Sequence, residues 1–256
     1  MRTLAIIPAR YGSSRFPGKP LADIAGKCMI QRVYEQTKKA FDYVCVATDD
    51  QRIFDKVTEF GGVAIMTSAE HQSGTDRCYE AYTIFHKQHP EIEIDLIINV
   101  QGDEPLIDPR QLKSLEAAFG EKDVYLATMS KRISSEEELF NPNTPKLITD
   151  KRGYAIYFSR STIPYLRGCP QGEWGDNFPY HKHIGLYAYK PEILSEICRM
   201  ERSSLEIAES LEQLRWIENG LKIKVVETDC TNFAVDTPED LLKIVQHIKK
   251  DSYICA

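Results

Sequence analysis

The sequence predicts an α/β fold: a doubly wound, mostly parallel sheet with an inserted region of mixed strands. Three features carry that expectation. Short apolar runs such as Leu4–Ile7, Tyr43–Thr48 and Asp95–Val100 lack polar alternation, amphipathic helical patterns separate them, and the second half joins its strand-like runs by loops. A strand covered on both faces shows no alternation, and strands spaced by helices belong to parallel crossovers.

Thr3–Pro8 opens the chain as a buried strand. Met29–Ala40 reads as an amphipathic helix with Ile30, Val33 and Tyr34 on one side, followed by the Tyr43–Thr48 strand. Asp50 is placed to cap a helix running through Phe60, which Gly61-Gly62 ends before a strand at Val63–Met66. Thr75–His86 is helical, Asp95–Val100 is a strand, and Pro109 opens a helix to about Phe119. Beyond these, Val124–Ile133, Pro145–Thr149, Tyr154–Phe158 and His183–Tyr189 are strand-like. Gly168–Pro179 carries no helical pattern, Ser204–Asn219 reads as one strong helix, and Lys222–Glu227 as a strand. Thr237–Lys250 is a last helix begun by the T-P-E-D cap. No linker or repeat interrupts the chain, so one domain over residues 1–256 is expected, with about 125–215 elaborating its edge.

The 256 residues suffice for a substantial core without disulfides. Thirty-two basic against 38 acidic side chains give a net charge of −6, which argues against non-specific nucleic-acid binding. With 42% hydrophobic and 27% charged residues, the composition is that of an ordinary folded chain. No apolar run is long enough for a bilayer, so no membrane insertion is expected; Leu4–Ile7 gives way at once to Pro8 and Arg10, which does not suit a cleavable leader. Seven scattered cysteines without C-x-x-C spacing suit free thiols in a reducing compartment. A soluble cytoplasmic protein is the expectation.

In an open parallel sheet, ligands bind beyond the carboxyl ends of the strands. Two loops there have unusual content. Ala9–Pro20 holds Arg10, Arg15 and Lys19, two glycines, two serines and no acidic residue. Glycines let backbone amides approach an anion, and the cations can donate charge-assisted hydrogen bonds to phosphate oxygens. Neither familiar phosphate motif fits: five residues separate Gly12 from Gly18, Pro20 follows Lys19 in place of a hydroxyl, and G-x-G-x-x-G is absent. A P-loop kinase and a nicotinamide dehydrogenase are both disfavoured. The second loop is Asn99–Pro105, where Asp103 can hold magnesium against a triphosphate and Gln101 can hydrogen-bond the nucleotide. Asp236 is the second metal candidate. As Asp103 could equally be a turn former, so Asp236 could be a helix cap, but both roles coexist if Thr237 is the cap.

The motifs I-P-A-R-Y-G-S-S-R-F-P-G-K-P-L, H-Q-S-G-T-D-R, N-V-Q-G-D-E-P, Y-F-S-R, H-I-G-L-Y-A-Y, L-E-Q-L-R and V-D-T-P-E-D-L, in this order, closely resemble the 3-deoxy-manno-octulosonate (Kdo) cytidylyltransferases, or CMP-Kdo synthetases. The resemblance runs from about Leu4 to Ile248. It implies a Rossmann-like nucleotidyltransferase fold, activation of an eight-carbon keto-acid sugar with CTP for lipopolysaccharide assembly, Mg2+, a homodimer and a cytoplasmic location. By position it makes Arg10, Arg15 and Lys19 triphosphate ligands, and Ser73, Gly74, Thr75, Arg77 and Gln101 further nucleotide contacts. Asp103 and Asp236 become the metal pair, with Arg10, Lys19 and both aspartates as the catalytic set. Arg160, His183, Tyr187, Glu212 and Gln213 become the sugar-acid pocket, placed in the 125–215 elaboration together with the dimer contact. The residues themselves allow plainer roles: His183 and Tyr187 as a packed, satisfied pair, Glu212 and Gln213 as the water-facing side of a helix, Arg160 as an edge cation. Cys28 stands where many members have proline, and the Arg167–Lys182 segment is longer than in relatives. Rival activities are CTP-dependent activation of an 8-amino Kdo analogue or a sialic acid, and non-catalytic nucleotide binding.

Overall fold

The computed structural model describes residues 1–12, 16–231 and 233–254. The chain forms two compact units, Met1–Lys113 with Thr231–Ala256, and Ser114–Cys230. The first unit starts with β1 (Thr3–Ala9) and a small hairpin, β2 (Asp23–Ile24) and β3 (Lys27–Cys28). It continues through α1 (Met29–Lys38), β4 (Tyr43–Thr48), α2 (Gln51–Glu59), β5 (Ala64–Met66), α3 (Gly74–Gln88), β6 (Leu96–Asn99) and the first half of α4 (Pro109–Ala117). The second unit holds β7 (Leu126–Arg132), α5 (Glu136–Phe140), β8 (Lys146–Thr149), β9 (Ala155–Ser159), α6 (Trp174–Asn177) and β10 (His181–Tyr189). After these come α7 (Pro191–Ile197), α8 (Ser204–Glu209), α9 (Gln213–Glu218) and β11 (Lys224–Glu227); α10 (Pro238–Ile254) belongs again to the first unit.

In the first unit β6, β1, β4 and β5 lie side by side, all parallel, with Ile6 opposite Cys45 on one neighbour and Asn99 on the other. Leu4–Ile7, Cys45–Ala47 and Leu96–Ile98 have no solvent exposure, which is why these strands read as continuous apolar runs. From β1 the chain steps to β4 and β5 on one side and then to β6 on the other. The order reverses between β1 and β6, and the loops leaving these two strands flank the resulting crevice. Helix starts follow local chemistry: Asp50 accepts from the Arg52 amide at 3.0 Å to begin α2, and Ser73 accepts from the Asp76 amide at 3.1 Å to begin α3. The expected parallel α/β arrangement is thus the observed one.

The second unit is mixed, as its loop-joined strands predict. β7 pairs parallel with β11 and antiparallel with β10; β10 pairs antiparallel with β8, and β8 with β9. Two expectations are corrected here. Ser204–Asn219 is not one helix but two, because Ser210 adopts a left-handed conformation (φ 51°, ψ 47°) between α8 and α9. The apolar periodicity carries across that break and hides it. Gly168–Pro179 does contain helix: a 3-10 turn at Gln171–Glu173 leads into α6, where Trp174 sinks into a cluster with Leu139 and Tyr180. Burial of one large aromatic overrides the weak helix propensity of the glycines around it. The β2–β3 hairpin, α5 and α7 are too short to leave a periodic signal. No helix of the described residues is long and apolar enough to cross a membrane.

Candidate active site

At the carboxyl ends of β1 and β6 the first unit encloses a cavity of about 340 Å³, lined by loop residues that include Arg10, Lys19, Gln101, Asp103 and Asp236. Its centre is an ammonium between two carboxylates. Lys19 Nζ lies 2.8 Å from Asp103 Oδ2 and 3.6 Å from Asp236 Oδ1, and it donates to the Val235 carbonyl at 2.9 Å.

Each member is delivered by local structure. Gly18, left-handed at φ 73°, precedes the turn that carries Lys19; its amide donates to the Tyr11 carbonyl at 3.0 Å, and a β-carbon there would meet the Tyr11 ring at 3.0 Å. Gly102 brings Asp103 in: a β-carbon at 102 would lie 2.8 Å from the Pro8 carbonyl oxygen, so the loops leaving β1 and β6 can approach this closely only with glycine. Asp236 arrives on the segment before α10. The Val235 amide donates to the Asp103 carbonyl at 2.9 Å, while Val235 and Ile244 pack with Ile24 and Met29. Thr237 caps α10, accepting from the Asp240 amide at 3.3 Å, and Asp240 accepts in return from the Thr237 amide at 3.1 Å. The cap falls on Thr237, the arrangement that lets Asp236 serve the cavity.

Magnesium takes oxygen ligands and is commonly held by one or two carboxylates, with phosphate oxygens and waters completing six. Two aspartate oxygens within 3.6 Å of one cationic nitrogen suit that donor set. Among the described residues no cluster of three or more His, Cys, Asp or Glu could hold a metal ion, so phosphate oxygens and waters suit the remaining positions.

Around this centre the cavity is suited to polyanions. Arg10 is exposed at the end of β1, and Ser73 and Gly74 open the fifteen-residue α3 onto the cavity, where the helix dipole favours negative charge. Arg15 lies outside the described residues. Thr75 is buried in the first turn of α3. Arg77 lines the cavity, but the residue is only 3% exposed and its guanidinium is engaged by Asp49 at 2.8 Å, the Thr67 hydroxyl at 2.6 Å and the Ser68 carbonyl at 3.3 Å. It therefore fixes the segment that leads from β5 to α3. Residue-by-residue reasoning overlooked two lining residues, His71 and Gln72, although both sit in the H-Q-S-G-T-D-R motif. His71 pairs with Glu80, whose carboxylate also accepts from the Ser68 amide at 2.8 Å. Burial alone would raise the pKa of Glu80, yet these two partners hold it below the usual carboxylate value.

The second unit holds the other predicted group. Arg160 donates through Nε to the Glu209 carbonyl at 2.6 Å and through its terminal nitrogens to the carbonyls of Pro142 (3.0 Å) and Ser210 (3.2 Å). The His183 ring meets Tyr187 with centroids 5.4 Å apart, and His183 Nε2 is 2.9 Å from the Thr128 hydroxyl. Burial pushes the His183 pKa down to about 3 and that of Tyr187 well above its ordinary value, so both rings are neutral near pH 7. Glu212 pairs with Arg215 at 3.1 Å. Gln213 does not face water: it is 3% exposed, and its buried Nε2 has no hydrogen-bond partner. The structure brings His183 and Tyr187 together, and it joins Arg160 to the turn just before Glu212. The two cavities described in this unit are lined by other residues.

A cytidylyltransferase family model matches residues 4–223. The chain is 53% identical to a 3-deoxy-manno-octulosonate cytidylyltransferase of Parabacteroides distasonis, over 95% of this chain and 96% of that one. It is also 53% identical to the protein of the same name from Cytophaga hutchinsonii, over 94% and 95%. The solved structure of a CMP:2-keto-3-deoxy-manno-octonic acid synthetase complexed with CTP superposes with a TM-score of 0.87 at 41% identity, covering 98% of this chain and all of that one. Motif order, site geometry and these likenesses agree: the chain belongs to the 3-deoxy-manno-octulosonate cytidylyltransferase family.

Proposed function

We propose that this protein activates Kdo with CTP, giving CMP-Kdo and pyrophosphate for lipopolysaccharide synthesis, as a magnesium-dependent homodimer in the cytoplasm. The observation that carries the reading is the Lys19–Asp103–Asp236 constellation at the reversal of strand order, inside a cavity that Arg10 and the N-terminus of α3 also line. The anomeric hydroxyl of the sugar attacks the α-phosphorus in line, a new P–O bond forms, and the bond to the β-phosphate oxygen breaks. Arg10, Arg15 and Lys19 bind the triphosphate and offset the charge that grows on the departing pyrophosphate. Gln101 and the α3 start at Ser73–Gly74 orient the nucleotide.

Asp103 and Asp236 would hold Mg2+, whose contribution when bound is Lewis-acid polarisation of phosphate oxygens and a lowered pKa for the attacking hydroxyl. The acid sugar falls to Arg160, His183, Tyr187, Glu212 and Gln213. Two N–H groups of Arg160 are left over from its three carbonyl bonds and suit a carboxylate, and the orphaned Gln213 Nε2 is a donor that a sugar hydroxyl would satisfy. No covalent intermediate is needed. Cys28 and Cys45 are core atoms, and burial pushes the Cys45 thiol up to about 12, away from nucleophilic use.

The test is mass spectrometry of products after incubation with CTP, Mg2+ and a panel of Kdo, 8-amino-Kdo and N-acetylneuraminate. CMP-Kdo as the dominant product is expected. A preference for either other sugar would reassign the substrate, and CTP binding without any product would make the protein a nucleotide-binding protein only.

A further inference from the structure

Lys19 places its ammonium in the space that the proposed function assigns to a divalent cation. We propose that Lys19 is a resident counter-ion that closes the Asp103–Asp236 pair to a free divalent cation until a nucleoside triphosphate draws the ammonium away. The inference rests on the metal reading above and adds an order of assembly to it: nucleotide first, or nucleotide and cation together, but not cation alone.

Three observations support it. The ammonium is well held, by Asp103 Oδ2 at 2.8 Å, the Val235 carbonyl at 2.9 Å and Asp236 Oδ1 at 3.6 Å, and the side chain is only 15% exposed. A cation arriving alone must displace this partner and meets a pair whose charge is already half neutralised. The protein also offers no third acidic or histidine ligand among the described residues, so a lone ion would rely on water for most of its shell. A triphosphate removes both obstacles. Its oxygens are alternative acceptors for an ammonium on a flexible four-carbon stem, and they complete the oxygen shell of the ion. Lys19 thus has two stations, carboxylates at rest and phosphates when loaded, and the move between them exposes the acidic pair.

The experiment is equilibrium dialysis of Mn2+ against the full chain, with and without CTP and with no acid sugar present. Wild type, Lys19→Met and Arg10→Met are compared, the last removing one positive charge from the same cavity. The wild type should retain about one Mn2+ per chain with CTP and bind it at least tenfold more weakly without CTP. Without nucleotide, Lys19→Met should bind Mn2+ at least tenfold tighter than wild type, and Arg10→Met less than threefold tighter. Lys19→Gln is read in the same way if the methionine variant does not fold, and the wild-type comparison needs no variant. Equal Mn2+ affinity of wild type with and without CTP would overturn the gate while leaving the metal assignment standing. Equal tightening by Arg10→Met would overturn it as a general charge effect. If no protein retains Mn2+ under any condition, the metal assignment fails and the gate with it.

Discussion

The two groups of candidate residues differ in how they are built. On the nucleotide side, Arg10, Lys19 and Asp103 come from the loops leaving β1 and β6 and Asp236 from the segment before α10; they converge on one cavity, partly exposed and held by glycine-permitted close approaches. In the second unit, His183 and Tyr187 sit on β10 against aromatic rings, Gln213 is buried on α9, and Arg160 is bonded to three carbonyls. A site for a highly charged ligand needs mobile, hydrated cations ready to be stripped of water. A site for a sugar acid needs one cation for the carboxylate and fixed dipoles for the hydroxyls, and fixed dipoles come from packing. The first kind is built of exchangeable contacts and the second of structural ones, so substitutions should separate them.

The largest expected effect is on chemistry alone. Asp103→Asn removes half of the acidic pair from a partly exposed loop, and kcat should fall by about a hundred- to a thousandfold with the melting temperature unchanged. Near-normal turnover would break the distinction at its most important residue. Lys146→Met should do the reverse. Lys146 is fully buried, and its ammonium donates to the Asn141 carbonyl at 2.9 Å and the Arg160 carbonyl at 2.7 Å; burial and the nearby Arg160 push its pKa down, against the pull of Glu209. Stranding both carbonyls should cost about 2–4 kcal/mol in denaturant unfolding, with the KM for CTP little changed. A large rise in CTP KM would show that the two groups are not separable.

Gly102→Ala tests the close approach on the nucleotide side. Its β-carbon would press on the Pro8 carbonyl oxygen, a backbone atom that cannot swing aside, so a loss of about 1–3 kcal/mol is expected together with a raised KM for CTP. The effect that is smallest at neutral pH concerns acid stability, since it acts only below about pH 6.5. The folded pKa of His183 is about 3, against an unfolded value near 6.5, so the unfolded chain binds the extra proton between these values. This contribution is intact above about pH 6.5 and is lost as pH falls toward 3, by at most about 1.4 kcal/mol per pH unit. His183→Gln should flatten that part of the stability–pH curve. No ionisation of His183 should enter the pH–rate profile near neutrality.

The same contrast governs what could be read in advance. The parallel sheet and the unusual loop after β1 were legible because buried parallel strands lose alternation and because three cations without a counter-charge, directly after such a strand, are chemically unusual. The Lys19–Asp236 approach could not be read locally, since it joins residues 217 positions apart only through the packing of Val235 and Ile244. In the second unit, Gln213 and His183 look in sequence like helix surface and core, and only the resemblance singled them out. The left-handed Ser210 was hidden because nothing in a serine announces such a conformation; Arg160, fifty residues away, donates to the carbonyls that flank the break.

The central claim is transfer of the α-phosphoryl group from a triphosphate held at the Lys19–Asp103–Asp236 centre. The most direct measurement follows radiolabel from CTP carrying 32P at either the α or the γ position, with Mg2+ and Kdo. The account predicts that all α label appears in the sugar nucleotide and all γ label in pyrophosphate. Label from the γ position on the sugar, or release of inorganic phosphate in place of pyrophosphate, would contradict it.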